Sequence, residues 1–345
     1  MNSYILRFFS YHQPRRIRVI ESLLTNRLTV SNLFWGQQYG LLPWLGAARQ
    51  LQRTEYDAVI KALADEQLIT IDDEQQARLT VKGVQWQEAE QPYQPHFLDW
   101  YWLTNTNQFG QRLLLGMQVV SEYAYHNAKY APVTVGYGHM LAVKRWFRQA
   151  NHRQLAAAVY RDLDQLTTGL ASFDQRLAVF LVDGLVGHDL PAWTNNQLAE
   201  RLRLSQADML ALNHDLLLGV AAYCQHVPGP LQDLLGPLLN AGPLSKSTAV
   251  TLELYRQGAA LEQIAARRRL KLSTVREHLL EVAILCPEQL DWNQLLPPAK
   301  RAALAKQYPD PDVTSWHFNS DEQDAGKAFF DYRLFQILRG REHHD

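Results

Sequence analysis

The chain has 345 residues, 47% of them hydrophobic and 20% charged, with a formal net charge of −1. Such a length can bury large cores and implies two or three domains, while near-neutrality excludes a whole-molecule field that would hold nucleic acid, so any such affinity must come from local patches. No apolar run approaches the roughly 18 residues of a membrane span, and the apolar part of the opening MNSYILRFFSYHQPRR is too short for a signal peptide, so a cytoplasmic protein with no membrane partner is expected.

In chain order, residues 15–25 are amphipathic, with Ile17, Ile20 and Leu24 on one stripe. A second helical stretch runs from Val30 to about Gln38, followed by the turn-rich GLLPWLG. Thr54 reads as the cap of a third helix that turns Tyr56, Val59, Ile60 and Leu63 inward. Two strand-like runs, 68–71 and 78–81, are joined by the polar DDEQQA. Three helices and a β-hairpin make residues 1–90 a winged-helix-like domain. Its charges oppose DNA: Glu55, Asp57, Asp65 and Glu66 outnumber Lys61, and Asp72, Asp73 and Glu74 stand at the wing tip, where acidic groups repel phosphate. Residues 1–90 therefore read as a protein-contact or dimerisation module with Asp72, Asp73 and Glu74 as partner-binding residues. A solvated acidic face with no partner is the plainer alternative.

Residues 85–95 (QWQEAEQPYQP) read as a linker. A helical middle domain follows over 96–226, with aromatic residues at 98–102 whose helical spacing marks them as core. Lys144, Arg145, Arg148 and Arg153, interleaved with Trp146 and His152, form a second candidate nucleic-acid patch. That composition suits a single strand, whose backbone follows cations and whose bases stack on rings; one polar face of a packed helix would account for it equally well. An internal helix-turn-helix is read over 176–220, with Ala199 as the small residue of its turn, Ser205 as the cap, and Met209, Leu212 and Leu216 as a buried stripe. Asp208 and Asp215, with no lysine or arginine on that last helix, make it structural, and any three-helix bundle can mimic the pattern. Residues 226–244 are rich in proline and glycine and read as a hinge.

The last domain spans 243–345. Ser247 is read as the cap of a helix carrying Ala249, Leu252 and Tyr255, which Gly258 ends in a left-handed conformation. A short helix from Leu261 to about Arg268 turns Leu261, Ile264 and Ala265 inward. Ser273 or Thr274 then caps a third helix with Val275, Leu279 and Val282 on one face. This is the helix-turn-helix plan, whose last helix can enter a major groove. Across 241–285 the net charge is +3. Arg267, Arg268, Arg269 and Lys271 stand at the turn, where phosphates would lie if the third helix docked. With Lys246, Ser273, Thr274 and the helix-borne Arg276 they are the candidate DNA-binding residues; a solvated basic surface is the alternative. Glu277 and Glu281 on the third helix repel phosphate and argue for weak or non-specific binding. A final helix over 321–338, capped by Ser320 with Gln323, should pack Phe329, Phe330 and Leu334.

The run QIAARRRLKLSTVREH resembles the DNA-binding helix-turn-helix of response regulators and sigma factors. It resembles still more closely the module at the C-terminus of some bacterial RecQ-type helicases, which is also found in the stand-alone YpbB family. The close resemblance covers little more than residues 241–285. It implies a bacterial DNA-binding accessory protein acting with a RecQ-type helicase in replication, recombination or repair, the helicase or a second copy of the chain being its protein partner. The competing expectation is a protein–protein adaptor or transcription regulator that uses helix-turn-helix folds as scaffold.

Motifs for chemistry are missing from the sequence, so no enzymatic activity and no cofactor are expected. There is no GxxxxGK[ST] phosphate loop, no HExxH and no GxSxG elbow. Gly136-Tyr137-Gly138 is too short for a dinucleotide loop, and the acidic pairs Asp162/Asp164 and Asp310/Asp312 read as surface carboxylates. No metal site is expected, His343-His344 being terminal, and Cys224 and Cys286 fit buried free thiols better than a disulfide.

Overall fold

Apolar periodicity becomes helix along most of the chain in a computed structural model that describes residues 1–319 and 324–342. The protein is mainly α, with one small three-stranded antiparallel sheet. Its contacts gather into two units: Met1–Asn26 with Pro43–Ala241, and Arg27–Leu42 with Gly242–Asp345.

In the first unit a hairpin forms between strands Ile69–Ile71 and Gln76–Leu79, the second strand lying two residues earlier than the expected 78–81 and Val81 opening the next helix; Arg15–Arg16 adds a third strand with Arg15 opposite Ala77. Residues 15 and 16 therefore belong to the sheet, and the amphipathic helix read over 15–25 is Ile17–Leu24. Helix Arg53–Asp65 buries Tyr56, Val59, Ile60 and Leu63 as its spacing predicts. Its cap is Gln52, which shares a capping box with Glu55; Thr54 lies inside the first turn. The Tyr56 hydroxyl donates to the Ile17 carbonyl at 2.9 Å and ties this helix to helix Ile17–Leu24.

The segment read as a linker is mostly a helix, Val81–Glu90, capped by Thr80. Gly83 lets it approach the sheet: a Cβ there would sit 2.1 Å from the Leu68 carbonyl oxygen. The residues after it are held as well. Asp208 accepts from the Tyr93 amide at 2.8 Å, and Asp215 accepts from the Tyr93 hydroxyl at 2.6 Å and from the amides of His96 and Phe97. These bonds explain why no division between units falls near residue 90.

Both acceptors lie on helix Gln206–His226, which is apolar on all sides and buried along most of its length. It is the central helix of this unit. With helix Asn195–Leu202 it forms the internal helix-turn-helix read from the sequence: Thr194 and Ser205 cap the two helices, Ala199 is buried, and Arg203 takes the left-handed conformation between them. Asp208 and Asp215 are not surface charges repelling phosphate but buried acceptors, Asp208 also meeting Arg7 at 3.0 Å. The helix is structural because it is core.

The second unit gathers helices Val30–Gln38, Lys246–Arg256, Leu261–Arg268, Leu272–Leu285, Pro298–Gln307 and Ala325–Glu342. Val30–Gln38 was expected as the middle helix of the winged-helix-like domain, yet it packs on Leu272–Leu285. The cause is in its side chains. Leu33, Phe34 and Trp35 are consecutive and all buried, which no one-sided amphipathic stripe allows. Arg333 lies over the Phe34 ring at 4.3 Å. Phe330 and Leu334 of the last helix are buried as expected, whereas Phe329 is 40% exposed and meets Phe318 edge-on. The capping box read at Ser320 and Gln323 lies outside the described residues. No helix among the described residues is long and apolar enough to cross a membrane.

Candidate nucleic-acid interface

Three helices of the second unit build the site. The first, Lys246–Arg256, is capped by Ser245, whose Oγ accepts from the Thr248 amide at 3.0 Å; Ser247, expected there, lies within the first turn. Its buried face is Thr248, Thr251, Leu252, Leu254 and Tyr255, and Ala249 is exposed. Gly258, at φ +83°, ends it in the conformation expected of a glycine.

The second helix, Leu261–Arg268, buries Ile264 and Ala265 and leaves Leu261 half-buried. Arg269 follows at φ 53°, and the Leu270 amide donates back to Ala265 at 2.9 Å. This turn matches the internal one closely, where Leu204 donates to Ala199 at 3.0 Å and Arg203 has φ 54°.

The third helix, Leu272–Leu285, buries Val275, Leu279 and Val282. Its N-cap is Lys271, two or three residues before the expected caps, and no side chain caps it. Its first turn, with Ser273 exposed and Thr274 half-buried, thus offers backbone N–H groups and the positive end of the helix dipole.

The basic residues at this turn divide by role. Arg267, Arg269 and Lys271 are exposed, as is Lys246. Arg268 instead turns onto the first helix, donating to the Ser247 carbonyl at 2.8 Å, to Ser247 Oγ at 2.9 Å and to Thr251 Oγ1. His278 reaches the same Thr251 hydroxyl at 2.7 Å, and burial with the nearby Arg268 charge lowers its pKa. Arg276 pairs with Asp324 at 3.0 Å with its side chain only 12% exposed, so in this arrangement it reads no base edge. Glu281 accepts from the Ser245 amide at 3.2 Å and from Thr248 Oγ1 at 2.8 Å, joining the third helix to the start of the first; Glu277 is exposed. No sequence signal announced these pairings, because each joins residues from separate helices.

The two other sequence-read sites lie in the first unit. Lys144, Arg145, Arg148 and Arg153 are all exposed, but the rings among them are occupied: Trp146 is buried, and Phe147 packs edge-on against His152 and Tyr123. At the hairpin tip Asp72, Asp73 and Glu74 are exposed, and Asp72 Oδ1 accepts from the amides of Glu74 and Gln76 to shape the turn. Among the described residues no group of three or more His, Cys, Asp or Glu could hold a metal ion, and Cys224 and Cys286 are buried and free.

Residues 247–335 match the family model described as a helix-turn-helix domain. The chain is 24% identical over 201 residues to Protein YpbB of Bacillus subtilis (strain 168), which covers 57% of this chain and 55% of that protein. The chain thus spans about half the length of the curated relative it matches. No solved structure matches. With the capped helices, the left-handed Arg269 and the uncapped third helix, these matches make residues 247–335 a helix-turn-helix domain in a chain similar to Protein YpbB.

Proposed function

We propose that the protein is a non-catalytic DNA-binding accessory factor whose C-terminal helix-turn-helix grips the phosphate backbone with little sequence selectivity. The observation that carries this reading is the exposure of Arg267, Arg269 and Lys271 around the uncapped start of the third helix. Cations and helix N-terminal amides at one edge suit phosphate oxygens. Selectivity is low because Arg276, the helix-borne group that could read a base, is held by Asp324, and the exposed Glu277 on the same helix repels phosphate. The resemblance to the helicase-associated module supports a role beside a RecQ-type helicase in cytoplasmic replication, recombination or repair, with the helicase or a second copy as partner.

A salt titration on duplex, single-stranded and forked DNA tests the reading. Replacing Arg267, Arg269 and Lys271 together with alanine should flatten the dependence of log K on log salt by about 2.7 for duplex, or about 0.9 per phosphate released. Replacement of Arg276 should leave the ranking of different sequences unchanged. An unaltered slope in the triple variant defeats the proposal.

A second reading, a protein–protein adaptor, is favoured by the exposed Asp73 and Glu74 at the hairpin tip. An acidic tip suits a basic protein surface. Under that reading, charge reversal at Asp73 and Glu74 slows association with a helicase partner and leaves DNA affinity equal or higher.

A further inference from the structure

A cleft of about 600 Å³ opens in the first unit, walled by helices Thr106–Ala124, Tyr137–Gln149, Leu155–Phe173 and Pro230–Leu235. That volume is in the range of small-ligand sites. On one side stands Arg112, a half-buried guanidinium with no carboxylate within ion-pair distance among the described residues. Its Nε is buried without a hydrogen-bond partner, and its one bond is a long 3.5 Å contact to the Leu234 carbonyl. Burial lowers the Arg112 pKa, and its charge in turn helps to lower that of His139, whose Nδ1 is also buried without a partner. A partly desolvated cation of this kind calls for an anion.

Three further features converge on the same space. Arg145 lines it from the helix opposite and is exposed. Gln154 and Leu155, at the start of a 19-residue helix, line it too, and no side chain caps that helix, so its positive end and first amides face the cleft. Trp146 forms part of the wall and is 8% exposed, with its indole N–H open to solvent. Around it the amide side chains of Gln149 and Asn151 supply donors and acceptors; the carboxylate lining the cleft is the exposed Asp233.

We propose that this cleft binds a nucleoside monophosphate group. The phosphate meets Arg112, Arg145 and the start of helix Leu155–Phe173, and the base lies toward Trp146 and the amides of Gln149 and Asn151. Two cations and a helix N-terminus exceed what a neutral sugar or base needs, while the indole and the amides have no work to do for phosphate alone. The group arrives either as a free nucleotide or as the 5′-terminal nucleotide of a single strand, which presents the same chemistry. The site is independent of the helix-turn-helix and does not rest on the function proposed for it.

Calorimetric titration of the full chain with dAMP, with inorganic phosphate and with a short 5′-phosphorylated single-stranded oligonucleotide tests the assignment. Binding of dAMP or of the oligonucleotide is expected, each tighter than inorganic phosphate. Arg145→Gln, at an exposed position that should not disturb folding, should weaken it by roughly tenfold to a hundredfold, the size of a lost charge-assisted hydrogen bond. Arg112→Gln should do the same, with an unchanged circular dichroism spectrum as its folding control. Arg148→Gln, outside the cleft, and the alanine triple variant of Arg267, Arg269 and Lys271 should leave dAMP binding intact. A tighter fit of dAMP assigns the site to free nucleotide, and a tighter fit of the oligonucleotide assigns it to strand ends. The proposal is overturned if neither binds at millimolar concentration. It is equally overturned if inorganic phosphate binds as tightly as both, or if Arg145→Gln changes nothing.

Discussion

Arg268 directs its guanidinium at Ser247 and Thr251 while Arg267 and Arg269 stay in solvent, so three adjacent arginines divide between a structural tie and a charged surface. Arg268→Ala should therefore lower stability by about 1–3 kcal/mol, the worth of hydrogen bonds from a charged donor, and leave the salt slope of DNA binding nearly unchanged. Urea unfolding and the salt titration read the two effects separately. The basic run was legible in the sequence, but its division was not, because helix packing decides which of the three faces inward. His214 is a second case, a histidine that no motif singles out. It is buried beside Trp44 and Thr106, and burial, helped by the Arg49 charge, lowers its pKa to about 4. Above the ordinary histidine pKa of about 6.5 it is neutral whether the chain is folded or not, so its stability contribution is fully present there. As pH falls from about 6.5 to 4 the unfolded chain takes up the proton first, and about 3 kcal/mol of stability is lost. Denaturant unfolding across this window should show that loss in the parent, and His214→Gln should be less pH-dependent by that amount.

The helices of the C-terminal domain were legible from period and breakers, down to the bounds Leu261–Arg268 and the left-handed Gly258. Their caps were less so. Ser245 and Ser247 are equally good capping residues in isolation, and the choice falls to Ser245 because its amide also meets Glu281 from the third helix. Residues 85–95 misled for a similar reason: glutamines and prolines suggested a loose connection, yet the helix Val81–Glu90 is packed and the residues beyond it are held by two buried aspartates. The close approach at Gly83 makes that packing testable. Gly83→Ala places a methyl against the Leu68 carbonyl oxygen, and strain should outweigh the helical preference of alanine by about 2 kcal/mol or more. A thermal melt of the variant should show a lower midpoint; a raised one would mean that helix and strand are not held as described.

Over the whole molecule, the hinge read at 226–244 contains the division between Ala241 and Gly242, but the second unit also claims Arg27–Leu42. Charge and periodicity cannot reveal this, because they describe neighbours in sequence while the partner of Phe34 lies at residue 333. Phe34→Ala should cost about 3–5 kcal/mol, felt in the second unit. Hydrogen exchange should show lost protection across Leu272–Leu285 and little change in Gln206–His226. For the same reason a fragment beginning at Gly242 should be less stable than the second unit in the full chain, and adding residues 27–42 as a separate peptide should restore protection.

The place of Val30–Gln38 also sets a timetable. Translation produces it well before its main packing partner, Leu272–Leu285. At about 5–20 residues per second the wait is on the order of 10–50 s. Throughout that interval Leu33, Phe34 and Trp35 have left the ribosome while the surface that buries them does not yet exist. The helix-turn-helix domain is completed only when Leu272–Leu285 reaches back to Val30–Gln38, across the stretch Pro43–Ala241 that folds as part of the first unit.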